Sequence, residues 1–180
     1  MILHFDSYLS EYLALLLPHT STFNSILSPL SLLPITILIW LIFEGFFIIK
    51  GRFTKLHYRF LSSFVISYSV TGIFVNFILK NIFMRSRPWV GLDLPQGICP
   101  SDFSFPSGHA AEAFAGAVIF AHFDRKRKWF YYSIAIGISY SRIYLYCHYF
   151  LDVIFGALIG AMISIVVLRI VSWRIKLQAV

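Results

Sequence analysis

Residues 149–171 read YFLDVIFGALIGAMISIVVLRIV, and only Asp152 and Arg169 in this stretch carry a charge. An α-helix needs about 20 apolar residues to cross the hydrocarbon core of a bilayer, so the stretch predicts a transmembrane helix. Gly156 and Gly160 follow Asp152 at intervals of four. These small residues turn that side of the helix towards other helices, which indicates that the carboxylate is functional.

The rest of the chain has the same apolar character. Of the 180 residues, 58% are hydrophobic and 13% are charged, whereas a soluble domain is roughly 45–50% apolar and about 25% charged. The surplus is too large for a soluble core of this length, and it excludes intrinsic disorder. Further apolar runs lie at about 27–49, 60–79, 108–123 and 129–147. We predict an all-α transmembrane bundle of about five spans, with residues 1–180 as one domain.

Two segments differ from an ordinary span. The run 108–123 is short and contains His109, Glu112 and His122, but its alanines suit close packing, so we expect an interior helix. Residues 5–18 are too short to cross a bilayer and predict an amphipathic helix in the membrane interface, or alternatively a cap on the bundle. The apolar side of that helix holds Phe5, Tyr8, Leu9, Tyr12, Leu13, Leu15 and Leu16, away from Asp6, Ser7, Ser10 and Glu11.

The basic residues indicate an orientation. The chain has fifteen Lys and Arg and a formal net charge of +7, but no nucleic-acid-binding module is visible in it. Most of the fifteen lie at one end of the predicted spans: Lys50, Arg52, Lys55, Arg59, Arg125, Lys126, Arg127, Lys128, Arg169, Arg174 and Lys176. The positive-inside rule assigns that end to the cytoplasm and the N-terminus to the outside. The remaining Lys80, Arg85, Arg87 and Arg142 fall at the outer end, where an anionic ligand would explain them.

Three segments meet at this outer end: Lys80–Pro88, Pro106–His109 and Ser141–Asp152. Lys80 supplies a point charge and Arg87 a planar fork, the two side-chain means of holding a phosphate. Ser107 is a good helix N-cap, and Gly108 leaves the N–H groups of the first turn open to an anion. The sequence therefore predicts a phosphate site.

The same segments contain groups able to react with a phosphate. His148 and Asp152 are four residues apart, which places them on one face of a helix and within hydrogen-bonding reach. A carboxylate bound to one imidazole nitrogen fixes the tautomer and leaves the other nitrogen free to attack. His109 directly follows the predicted anion site and lies within reach of whatever binds there.

The three segments together resemble the signature of the type 2 phosphatidic acid phosphatase family, which is related to the vanadium haloperoxidases. The signature is Lys, six residues, Arg-Pro; then Pro-Ser-Gly-His; then Ser-Arg, five residues, His, three residues, Asp. Every fixed position is filled here, between residues 80 and 152. The resemblance implies that His148 is the nucleophile and that Asp152 orients it. It also implies that His109 is the general acid and that Lys80, Arg87, Arg142, Ser107 and Gly108 bind the phosphoryl oxygens.

The resemblance further implies a lipid phosphatase that needs no metal or other cofactor. It would act at the outer face of a bacterial cytoplasmic (inner) membrane, with the C-terminus in the cytoplasm. Its partners would be a lipid substrate and the bilayer, with no nucleic acid and no obligate protein partner. We favour lipid A 1-phosphate or undecaprenyl diphosphate; phosphatidylglycerol phosphate and phosphatidic acid are further candidates. The alternatives are a lipid-to-lipid phosphotransferase and a non-catalytic lipid binder or translocator.

Several residues lie outside the signature, and the sequence leaves their roles open. Arg85 is a candidate for a lipid headgroup, and Glu112 either tunes His109 or packs against another polar group. Glu44 is expected to pair with a nearby base. Cys99 and Cys147 both fall near the outer end, where an oxidising compartment would allow a disulfide. Family members often have six spans, so the reduced first span here would leave one side of the bundle more open.

Overall fold

The computed structural model describes residues 2–50, 55–88 and 99–177, and within these ranges it contains helices and no β-strand. The α-helices of the described ranges are α1 (Ile2–Ala14), α2 (Ser21–Leu30), α3 (Leu33–Lys50), α4 (Lys55–Ile73), α5 (Lys80–Phe83), α6 (Gly108–Phe123), α7 (Lys128–Tyr144) and α8 (Phe150–Leu177). A π-helical segment, Phe74–Leu79, joins α4 to α5, and a 3-10 turn, Arg125–Arg127, precedes α7.

Helix α6 is the centre of the bundle and packs against α4, α7 and α8. Nearly all of its residues are buried, which confirms the prediction of an interior helix. Its approach to α8 depends on glycine. A Cβ atom on Gly160 would lie 1.9 Å from the carbonyl oxygen of Ala111, and one on Gly156 would lie 2.4 Å from that of Ser107. The two helix backbones are therefore in direct contact on this side.

Aromatic rings fill the core of the bundle at the end remote from the start of α6. Phe120 of α6 lies between Trp40 of α3 and Phe60 of α4, with ring centroids 5.2 Å and 5.0 Å away. Tyr131 of α7 packs on the same ring at 5.2 Å. Buried aromatic rings contribute large apolar areas, so this cluster fixes three outer helices around α6.

The predicted first span is broken in the structure. Helix α2 ends at Leu30 and α3 begins at Leu33, because Pro34 has no N–H to donate to the preceding turn. The described parts of the two helices, Ser21–Leu30 and Ile35–Phe43, are bent by 70° and pass the length and composition test for a span only as a pair. The run 27–49 therefore contains a helix break at residues 31–32, and its role as one span stays a prediction.

Two helices in the described ranges are long and apolar enough to cross a membrane by themselves: Leu56–Phe83, with 28 residues, and Phe150–Trp173, with 24. The bent pair raises this count to three if it forms one span. Helices α6 and α7 have 16 and 17 residues and stay below that test. The fold is thus an all-helical bundle with two to three candidate spans, and the count of five stays a prediction.

The N-terminal helix is shorter than predicted, and part of its polar side is buried. Helix α1 ends at Ala14 rather than near Pro18. Asp6 and Ser10 are buried against α7 and α8, whereas Phe5, Tyr8 and Tyr12 are exposed. The predicted partner of Glu44 and the positions of the Lys50, Arg52, Lys55, Arg174 and Lys176 side chains lie outside the described residues.

Replacement of Gly160 by Ala is expected to destabilise the bundle by about 3 kcal/mol, because the new methyl group overlaps backbone rather than a movable side chain. The measurement is unfolding of the detergent-solubilised protein. Gly137→Ala is the matched control, since nothing lies within 4 Å of a Cβ there. It should leave stability unchanged or raise it by about 0.5–1 kcal/mol. Equal stability of the two variants would contradict the tight α6–α8 contact.

Candidate active site

The three predicted segments meet at one end of the bundle, where the first two line a cavity of about 250 Å³ and the third contacts Arg87 of the first. The first comes from α5 and the turn after it, the second from the start of α6, and the third from the turn between α7 and α8. The predicted site residues Lys80, Arg87, Ser107, Arg142, His148 and Asp152 are all buried. The cavity is lined by Asn76, Lys80, Arg87, Pro100, Asp102, Gly108, His109 and Glu112.

His148 lies in the turn before α8 rather than on the helix, so the expectation of a shared helix face is wrong in this detail. Asp152 lies in the first turn of α8, where its Oδ2 accepts a hydrogen bond of 2.9 Å from the N–H of Tyr149. The same oxygen is 3.6 Å from Nδ1 of His148, too far for a hydrogen bond. The carboxylate nevertheless faces Nδ1, and the opposite nitrogen, Nε2, lies 3.1 Å from Nη1 of Arg87.

The surroundings of His148 keep its imidazole neutral. Burial lowers the pKa of this ring well below its ordinary value, and the positive charges of Arg87, Arg142 and Lys80 lower it further. A neutral imidazole has a free lone pair on one nitrogen. Because Arg87 can only donate, Nε2 is the ring nitrogen with the lone pair, and that lone pair accepts the Arg87 N–H.

Arg87 and Lys80 are both bound to Asp102, a residue that the sequence analysis did not select. The carboxylate of Asp102 pairs with Nζ of Lys80 and with Nη2 of Arg87. Nε of Arg87 also donates to the Asp102 carbonyl at 2.7 Å. Burial raises the pKa of the Asp102 carboxyl, but its contacts with Lys80 and Arg87 outweigh that effect and hold the pKa below its ordinary value. The Asp102 carboxylate therefore already binds the two side chains, Lys80 and Arg87, that are predicted to bind phosphate.

Arg142 and His109 have donors that the protein does not satisfy. Arg142 is fully buried and donates from Nη1 to the carbonyl of Ser31 at 2.8 Å. Its Nε and Nη2, together with Nε2 of His109, have no hydrogen-bond partner in the described part of the chain. Unsatisfied buried donors are costly, so these atoms are suited to hold an anionic or polar ligand.

The start of α6 agrees with the prediction. Ser107 is the N-cap, and its Oγ accepts from the N–H of Ala110 at 3.4 Å. A Cβ on Gly108 would lie 2.4 Å from Oδ1 of Asn76, so glycine is needed here for close packing as well as for open N–H groups. Asn76 belongs to the π-helical segment, whose wider turn the sequence analysis did not detect.

Arg85 faces the interior of the protein. It donates from Nη1 to Oδ1 of Asp152 and from Nη2 to Oδ2 of Asp6, each at 2.7 Å. Its guanidinium carbon lies 3.9 Å from the centre of the Tyr149 ring. The expected contact of Arg85 with a lipid headgroup finds no support in this geometry, because both arms of its fork bind buried carboxylates.

Glu112 has polar neighbours, as its predicted role of packing against another polar group requires. The Tyr68 hydroxyl donates to Oε2 at 3.2 Å, and Nδ2 of Asn76 donates to Oε1 at 3.4 Å. Glu112 also lines the site cavity together with Lys80. Its carboxyl group is therefore part of a polar cluster on α4, the π-helical segment and α6.

Cys99 and Cys147 form a disulfide. The bond joins the strap 99–106, which carries Asp102, to the residue before His148. Ser104 attaches the strap to the first segment, since its N–H and hydroxyl donate to the carbonyls of Arg85 and Ser86 at 2.8 Å and 3.0 Å. Pro100 and Asp102 of this strap line the cavity.

The residues that the sequence analysis missed are acidic or amide side chains bound to predicted site residues: Asp6, Asn76 and Asp102. The charges of the neighbouring sequence could have identified Asp102. It lies between three cations of the outer end and the Pro-Ser-Gly-His motif, where a carboxylate would balance the positive charge. A search of the described residues finds no group of three or more His, Cys, Asp or Glu arranged to hold a metal ion.

Comparisons with known proteins agree with this geometry. An undecaprenyl-diphosphatase from Sulfolobus acidocaldarius is 33% identical over 138 residues, 74% of this chain and 64% of the relative, so the chain spans less than two thirds of that protein. The crystal structure of Aquifex aeolicus LpxE matches 90% of this chain and 93% of its own, with a TM-score of 0.63 and 25% identity.

A PAP2-type phosphatidylglycerolphosphate phosphatase from Bacillus subtilis has the same fold, with a TM-score of 0.65, 24% identity and coverage of 92% of this chain and 84% of its own. The sequence profile of the PAP2 superfamily matches residues 59–176, a range that contains all three site segments. This chain therefore belongs to the PAP2 superfamily.

Proposed function

We propose that the protein is an integral-membrane lipid phosphatase that transfers the phosphoryl group to His148 and then to water. One observation carries the proposal. Nε2 of the buried His148 lies 3.1 Å from Nη1 of Arg87, while a carboxylate faces the other ring nitrogen. A nucleophile, an orienting group and a phosphate ligand are thereby next to one another.

In the first step, the Nε2 lone pair of His148 attacks the terminal phosphorus, and the bond from that phosphorus to its bridging oxygen breaks, so that a monoester leaves a lipid hydroxyl and a diphosphate leaves a lipid monophosphate. His109 gives the leaving oxygen its proton. In the second step, His109 takes a proton from water, the resulting oxygen attacks the phosphohistidine, and the phosphorus–nitrogen bond breaks. Inorganic phosphate leaves, and both histidines return to their initial state.

The cations supply the stabilisation that phosphoryl transfer needs. The developing charge lies on the equatorial oxygens, and fixed positive groups and N–H donors lower its energy. Lys80, Arg87 and Arg142 fill this role, together with the Ser107 side chain and the N–H of Gly108 at the start of α6. A substrate phosphate would take the place of the Asp102 carboxylate on Lys80 and Arg87. Because these groups supply the positive charge, we propose that the reaction proceeds without a metal ion.

For the substrate, we propose a lipid carrying a terminal phosphate, with undecaprenyl diphosphate first. The Sulfolobus acidocaldarius relative is named for this substrate and is 33% identical to the chain. Lipid A 1-phosphate, phosphatidylglycerol phosphate and phosphatidic acid are the lipids to compare with it.

We propose that the bundle crosses the cytoplasmic membrane about five times, with the site at the outer face and the C-terminus inside. Two observations support this topology. The site end carries the disulfide, which forms in oxidising compartments. The opposite end carries the basic turn Arg125–Lys128, as the positive-inside rule requires of a cytoplasmic end.

The purified protein is expected to release inorganic phosphate from undecaprenyl diphosphate in EDTA, and His148→Ala should lower the rate at least about 1000-fold by removing the nucleophile. His122→Ala, an exposed histidine at the opposite end, should retain full activity. Phosphate release is measured in detergent across the four candidate lipids.

Full activity of His148→Ala would refute the mechanism. Loss of wild-type activity in EDTA with recovery on a divalent metal would refute metal independence. A phosphorylated second lipid in place of free phosphate would identify a phosphotransferase. Binding without turnover would identify a lipid binder.

The acidic limb of kcat/KM should lie below the ordinary histidine pKa of about 6.5, since the surroundings of His148 depress its pKa and only the neutral ring attacks. Lowering the pH through the depressed pKa protonates the ring and stops the reaction. The profile is measured with two substrates whose phosphate groups titrate differently, because only the enzyme's limb is common to both. A common limb above pH 6.5 would contradict the geometry of a neutral nucleophile.

The topology predicts that Ile82→Cys, exposed at the site end, reacts with a membrane-impermeant thiol reagent in intact spheroplasts. Trp129→Cys, exposed at the opposite end, should react only after permeabilisation. Labelling is read by a gel shift, and the disulfide-bonded native cysteines give the background. The reverse pattern, or labelling of both variants from outside, would refute the orientation.

A further inference from the structure

The N-terminal helix reaches the candidate active site through a buried ion pair. Asp6 of α1 is fully buried, as is Asp152 of α8. Between them lies Arg85, whose two Nη atoms are each 2.7 Å from a carboxylate oxygen, one of Asp6 and one of Asp152. A single guanidinium therefore connects a residue near the start of the chain to the carboxylate that faces His148.

Helix α1 also binds the start of α8. Oδ1 of Asp6 accepts the N–H of Leu151 at 3.0 Å, and Oγ of Ser10 accepts the N–H of Phe150 at 2.8 Å. The first N–H groups of a helix have no partner within the helix, so α1 supplies the acceptors that α8 lacks. The N-terminal segment thereby fixes the first turn of the helix that carries Asp152.

The residues that α1 contributes to these contacts lie outside the part of the chain that matches the superfamily. The family profile begins at residue 59, so Asp6 and Ser10 belong to neither the profile nor the three motifs. Arg85 lies between two signature positions, Lys80 and Arg87, but fills neither.

The charge of the buried Asp152 carboxylate explains why its two oxygens have different partners. A buried carboxylate is costly unless a positive group and hydrogen bonds compensate it. Asp152 has Arg85 on Oδ1 and the Tyr149 N–H on Oδ2, which determines which oxygen faces the imidazole. Arg85 is held in turn by Asp6 and by the Tyr149 ring, 3.9 Å from its guanidinium carbon.

We propose that Asp6 is a positioning residue for the nucleophile and that it acts through Arg85 on Asp152. By fixing Arg85, Asp6 fixes the rotamer of Asp152 and so the carboxylate oxygen that faces Nδ1 of His148. The proposal rests on the proposed function, since it assigns His148 the role of nucleophile. It makes α1 a part of the active centre as well as a helix at the membrane surface.

The test is Asp6→Asn, which keeps an oxygen for the Leu151 N–H but loses the charge that binds Arg85. We expect kcat to fall about tenfold, as for outer partners of other active-site ligands, with KM unchanged. Asp6→Glu, which restores the charge, should recover part of the loss. Glu11→Gln removes an exposed charge from the same helix and should leave kcat unchanged. Phosphate release gives both constants, and thermal unfolding shows that each variant is folded.

The pathway through Arg85 is tested by combination. If Asp6 acts only through Arg85, the double variant Asp6→Asn/Arg85→Gln should be no less active than Arg85→Gln alone, because effects on one pathway do not add. Where Arg85→Gln does not fold, the kcat and KM values of Asp6→Asn and Asp6→Glu decide.

Three results would overturn the proposal: wild-type kcat in Asp6→Asn, a loss confined to KM, or losses that multiply in the double variant. Failure of the proposed function is distinguishable, because His148→Ala would then retain activity whatever Asp6 does. If His148→Ala is inactive and Asp6→Asn is fully active, the function stands and the positioning role does not.

Discussion

The structure depends on the burial of positive charge at one end of an apolar bundle. Lys80, Arg87 and Arg142 are buried within the same site, where their mutual repulsion and the loss of water both oppose folding. The protein compensates with carboxylates and carbonyls: Asp102 on two of the cations, and the Ser31 carbonyl on the third. The strap 99–106, the broken α2–α3 pair and α1 each bring an acceptor to that end.

The apolar part of the bundle makes this possible through its rigidity. Helices α6 and α8 approach until a methyl group no longer fits at Gly160, and an aromatic cluster around Phe120 fixes the other end. A site that works by position needs ligands that do not move when the substrate binds. Close backbone packing supplies that rigidity.

The sequence predicts the parts of this arrangement that are local. The N-cap at Ser107 and the interior position of α6 follow from spacing and residue size, and the structure confirms both. Contacts between distant residues were not predictable in this way. Asp6 and Arg85 are 79 positions apart, and an amphipathic pattern assigns Asp6 to the polar side without showing that this side is buried. The π-helical segment escaped detection because one extra residue in a turn leaves the hydrophobic pattern nearly unchanged.

The ion pairs of Asp102 have a consequence for selectivity among lipids. An anionic ligand that binds Lys80 and Arg87 must displace the Asp102 carboxylate that is bound to them. A phosphodiester headgroup carries one negative charge and gains nothing electrostatically by the exchange. A terminal phosphate carries up to two near neutral pH and gains from it. If a substrate phosphate displaces Asp102 as proposed, the resident carboxylate would favour terminal phosphates over the diester phospholipids of the surrounding bilayer.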